Sequence, residues 1–115
     1  MKNRTVSLRR PARSSLRWLM LYGDGEFVAK GTVLSIAANV WRVAGPMPVH
    51  PGMRLKLRVW PLERPDAVYV NEATVIWTKG FEFGLIVEDI NASDQEWLTQ
   101  YLDRALPWWL ASQAA

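Results

Sequence analysis

Cysteine is absent from the 115 residues of this chain. That excludes a disulfide framework, a thiolate metal site, an iron–sulfur cluster and a cysteine nucleophile. Histidine is nearly absent. His50 stands alone and cannot build a histidine-rich metal site; it sits between Val49 and Pro51 with no acid or hydroxyl at a suggestive spacing. No stretch approaches the roughly 20 uncharged apolar residues of a membrane span. The apolar run after the basic start, residues 18–22, is too short for a signal peptide. There is no Walker-type loop and no metal-ligand spacing, and Glu88-Asp89 reads as a solvated turn. The expectation is a one-domain cytosolic module that is not an enzyme and holds no metal or cofactor.

Acid is missing from one end. Six of the 14 lysines and arginines, Lys2, Arg4, Arg9, Arg10, Arg13 and Arg17, lie in residues 1–17, which contain no Asp or Glu. The other eight face all 11 acids, so the body carries a net −3 while the whole chain carries +3. A basic arm on an acidic body suggests an anionic partner for the arm, or a solvated tail. Nucleic acid is the weaker candidate, because the acidic body offers phosphates no extended track.

The middle of the chain reads as β. The clearest strand is residues 53–60, where Met53, Leu55, Leu57 and Val59 alternate with Arg54, Lys56 and Arg58, the period of a half-buried antiparallel strand. Residues 16–22, 26–36 and 40–43 supply shorter candidates, punctuated by Gly23-Asp24-Gly25, Gly45-Pro46 and His50-Pro51-Gly52. Residues 68–77 form a long strand with a bulge expected at Asn71-Glu72. A turn at residues 78–80 leads into the last strand, 81–87. This spacing suggests an antiparallel barrel or sandwich. Ser93 followed by Glu96 reads as a capping box, and Trp97, Leu98, Tyr101, Leu102, Ala105 and Leu106 then recur on one helical face until Pro107 interrupts. Trp18, Trp41, Trp77 and Trp97 read as core. Trp60 reads as a cover for a barrel end or, less simply, a base-stacking platform. Trp108, Trp109 and Leu110 lie beyond the helix break; they either fold back on the barrel or serve as a partner anchor.

Arg9 and Arg13 stand four apart, as do Arg13 and Arg17, with Arg10 beside them. Guanidinium forks bind phosphate or a guanine edge bidentately and stack on bases. The arm is followed by a hairpin, then Gly31-Thr32-Val33-Leu34-Ser35-Ile36-Ala37, Gly52 before an alternating strand, Ala73-Thr74-Val75-Ile76-Trp77 and Phe83-Gly84-Leu85. In this running order, over about residues 9–104, the chain resembles the PilZ domain family. The resemblance implies a six-stranded antiparallel β-barrel with a C-terminal α-helix. It also implies a bacterial, cytoplasmic signalling module with cyclic di-GMP as ligand and a protein as partner. Residues 1–8 are then a flexible basic tail, 9–106 the barrel with its helix, and 107–115 a Trp-containing tail.

One departure matters. The family carries an Asp/Asn-x-Ser-x-x-Gly motif, and on this register its three positions fall on Ser35, Ala37 and Val40. All three are lost. Ala37 has no hydroxyl, Ser35 is too short to replace a carboxylate or amide, and Val40 brings a branched Cβ where glycine permits close approach. Losing two ligand hydrogen bonds at about 1–3 kcal/mol each costs on the order of a hundredfold or more in affinity. The resemblance therefore implies a ligand set of Arg9, Arg10, Arg13 and Ser35. It binds cyclic di-GMP weakly if at all, and a protein-interaction adaptor in pilus or motility control is the alternative.

Overall fold

A computed structural model describes residues 16–105; the arginines of the arm at 9, 10 and 13 and the tail residues 106–115 fall outside it. Six strands are present: β1 (Trp18–Gly23), β2 (Val28–Ala37), β3 (Val40–Ala44), β4 (Arg54–Trp60), β5 (Val68–Lys79) and β6 (Glu82–Ile90), followed by helix α1 (Ala92–Ala105). All pairings are antiparallel, and the order β1-β2-β3-β6-β5-β4 closes because β1 also pairs with β4. Closure removes every sheet edge, so no strand is left with a free row of backbone donors and acceptors.

Alternation fills the barrel. Trp18, Met20 and Tyr22 of β1, Leu55, Leu57 and Val59 of β4, and Phe83, Leu85 and Val87 of β6 are buried. Between the β4 residues, Arg54, Lys56 and Arg58 are exposed. The expected irregularity at Asn71-Glu72 is present, since the β5–β6 register shifts on both sides of Glu72. A second bulge falls between Val33 and Ser35 on β2. It places Val33 and Ile36, three apart, both inside, and so puts Ser35 and Ala37 on the outside.

The starts of β1, β3 and β5 and the ends of β2, β4 and β6 share one end of the barrel, and α1 lies across it. Leu98 is buried there. Trp97 and Tyr101 stack on each other at 5.3 Å, and both rings meet Trp18, at 6.0 and 5.4 Å. The Trp18 indole N–H has no acceptor among the described residues. Polar contacts fix the helix in register. Buried Asp94 accepts from Arg64 Nη2 at 3.2 Å and from the backbone N–H of Tyr69 at 3.1 Å. The Arg64 guanidinium lies over the Trp97 ring, 5.0 Å from its centre. The Tyr101 hydroxyl donates to Glu63 at 3.0 Å. Burial, reinforced by the Glu63 carboxylate, pushes the Tyr101 hydroxyl above its ordinary pKa.

Three expectations need correction. Glu88 and Asp89 are exposed but do not form a turn, because β6 runs through them to Ile90, with Asp89 paired to Glu72. The helix is capped by Asn91 and not by a Ser93–Glu96 box: Asn91 Oδ1 accepts from the Ser93 N–H at 3.1 Å, while Ser93 lies inside the first turn. Asn is as good a cap as Ser, and its position fits the first orphan donors better. Trp77 is not core. The β5 register shifts between Val75 and Trp77, which turns the indole outward over Gly84, where a Cβ would collide with Trp77 Nε1. Trp18 and Trp41 are core, and Trp97 is half-buried on the helix face.

Candidate ligand and partner surface

Ser35, Ala37 and Val40, the positions onto which the resemblance places the family motif, lie together at the helix-covered end, on the outside of the β2–β3 hairpin. Ala37 pairs with Val40 across a two-residue turn in which Ala38 takes a left-handed conformation, φ 58°. A non-glycine residue there is uncommon. Val40 pairs in turn with Ile86, and Ile86 with Thr74. The outer row from Ala37 to Ile86 is therefore wholly apolar, and Val40 is 41% exposed.

The neighbouring outer row is different. Ser35 pairs with Arg42, Arg42 with Gly84, and Gly84 with Trp77. Arg42 donates from Nη1 to Glu82 Oε1 at 2.9 Å, and both side chains are about two-fifths exposed. Such an exposed pair contributes about 0–1 kcal/mol, so the guanidinium is readily recruited by another anion. Arg42 was not singled out from the sequence. Its signal was the alternation Val40-Trp41-Arg42-Val43, which sends Trp41 and Val43 inside and Arg42 out.

The arm enters at the same place. The Leu16 N–H donates to the Leu34 carbonyl at 3.3 Å, one residue from Ser35. Arg13 is three residues upstream and Arg17 one downstream, within about 10 Å of chain. Arg9, Arg10, Arg13, Trp108, Trp109 and Leu110 lie outside the described residues, so only the root of the arm is placed.

His50 is exposed, with Nδ1 3.2 Å from the Pro51 carbonyl oxygen. Among the described residues no group of three or more His, Asp or Glu side chains is arranged to hold a metal. No helix there is long and apolar enough to cross a membrane.

A closed six-stranded antiparallel barrel with a helix across one end is thus the class to which this chain's fold belongs. Among solved structures, the inhibitor of motility MotI/DgrA of Bacillus subtilis is similar, with a TM-score of 0.66 and 22% identity over 80% of this chain and 48% of that one. This chain spans about half the length of that protein, and at such identity the likeness is one of fold. No protein-family model matches the chain, and no curated protein matches it in sequence.

Proposed function

We propose that the chain is a PilZ-like, non-enzymatic signalling module that acts as a protein-interaction adaptor, of the kind that controls motility or pili. On this reading it binds cyclic di-GMP weakly if at all. The observation that carries this reading is the outer row Ala37–Val40–Ile86. Where a nucleotide-binding member of the family needs polar groups, this chain presents contiguous apolar side chains. Such a surface favours a protein partner, because apolar area yields most when another dry surface covers it. A barrel shared with a motility inhibitor fits the same reading.

A second reading is that cyclic di-GMP still binds through the arm. It is supported by the contact of Leu16, at the root of the arm, with Leu34, the residue before Ser35. On that reading Arg9→Ala/Arg13→Ala abolishes the binding and Lys2→Ala hardly alters it.

A motility assay separates the two. In flagellated bacteria producing the chain, Val40→Glu is expected to remove its effect on swimming, because a carboxylate in the apolar row repels a dry partner. Arg9→Ala/Arg13→Ala is expected to leave most of that effect. The reverse pattern would replace the adaptor reading by the nucleotide reading.

A further inference from the structure

Between α1 and the β2–β3 hairpin runs an open groove of about 610 Å³. Its apolar lining includes Ile36, Val87, Leu98 and Leu102, and Asn39 and Asp103 stand at its rim. The helix side of the groove is one stripe from Gln95 to Asp103, eight residues and so about 12 Å of helix. No described side chain fills it.

We propose that this groove is the seat of the chain's own C-terminal segment, with Trp108, Trp109 and Leu110 packed along the stripe. Position is the first argument. The described helix reaches Ala105, less than one turn beyond Leu102 and Asp103, so the segment that follows starts beside the mouth of the groove. Sequence is the second. Residues 106–110 read Leu-Pro-Trp-Trp-Leu, and residues 105–115 contain no charged side chain. Pro107 lacks the N–H that would continue a helix, and its ring disfavours helical geometry before it, so the sequence favours a change of direction at that point. Reach is the third. Three residues beyond it cover about 10 Å when extended, matching the stripe. The rim suits the occupant as well: each buried indole N–H needs an acceptor, and Asn39 and Asp103 supply oxygens. The basic arm is the poorer occupant, since Asp103 is the single acid in a mostly apolar lining and the arm's other guanidinium groups would be buried without an anion. A tethered segment meets the groove at an effective concentration of about millimolar, far above that of a second copy in micromolar solution. Seated there, the tail borders Ala37 and would share that edge with a partner on the motif face.

The absence of cysteine makes a direct test possible. Two full-length variants are compared under mild oxidation at low protein concentration: Thr99→Cys/Leu110→Cys, with one thiol on the stripe, and Lys30→Cys/Leu110→Cys. Lys30 lies seven β2 residues from Ala37, about 23 Å along the strand. The groove pair is expected to form an intrachain disulfide roughly tenfold or more faster than the control pair, the excess reflecting a raised local concentration. Adding Trp108→Ala/Trp109→Ala to the groove pair is expected to bring it down to the control rate. Equal rates for the two pairs would overturn the proposal, as would a rate indifferent to the tryptophans. A disulfide-linked dimer as the main product would assign the groove to the tail of a second copy and overturn it equally.

Discussion

Asp94→Ala is expected to lower the stability of the barrel by about 3–5 kcal/mol, the cost of breaking a buried ion pair by removing one partner. Asp94 is 5% exposed. Its carboxylate receives both the Arg64 guanidinium and the Tyr69 backbone N–H. Removing it leaves a guanidinium, whose side chain is only 18% exposed, without its anion and a strand donor without its acceptor. The loss is a large fraction of the roughly 5–15 kcal/mol that stabilises a domain of this size. Arg54→Ala is the control. Arg54 also contacts a carboxylate, Glu72 at 2.7 Å, but its side chain is 73% exposed, so its removal should change stability by less than about 1 kcal/mol. Urea unfolding measures both. If Asp94→Ala matched Arg54→Ala, the helix would be held by the Trp18–Trp97–Tyr101 cluster alone.

The second large effect concerns the lost motif. Ser35→Asp, Ala37→Ser and Val40→Gly together rebuild the family pattern. Ser35 and Ala37 flank the inward Ile36 and so share the outer face, beside the strand residue that receives the arm. Two regained hydrogen bonds at about 1–1.5 kcal/mol each predict a gain of roughly ten- to a hundredfold in cyclic di-GMP affinity. Val40→Gly should cost about 0.5–1 kcal/mol of stability. A folded triple variant with no gain would mean that the motif register is misplaced, or that the arm does not close over this face.

Much of the barrel was legible because burial alternates with residue type. In β4 the alternation of Leu55, Leu57 and Val59 with three cations states the inside and the outside directly. The bulge at Asn71-Glu72 was legible because two polar residues interrupt an apolar strand. Trp77 was misread for the opposite reason: the register shift after Val75 leaves no mark in composition, and Gly84 on the paired strand explains why an indole can lie there. The bulge between Val33 and Ser35 was equally silent. The clasp of Arg64 and Asp94 joins residues 30 apart, and no local pattern encodes such a pairing. At the candidate site, the resemblance pointed to Ser35, Ala37 and Val40 as positions without the polar groups of the family motif. It did not reveal that Ile86 continues the apolar row or that Arg42 stands next to Ser35, because both depend on the β3–β6 register.

On the proposed adaptor function, this barrel has exchanged nucleotide recognition for protein contact. Calorimetric titration of the full chain with cyclic di-GMP tests it most directly. A micromolar site weakened about a hundredfold has a Kd near or above roughly 100 μM, so the titration is expected to show little or no saturable heat at tens of micromolar ligand. A saturable one-site isotherm with a Kd of about 1 μM or tighter would contradict the account, because the arm would then suffice for the ligand without the motif.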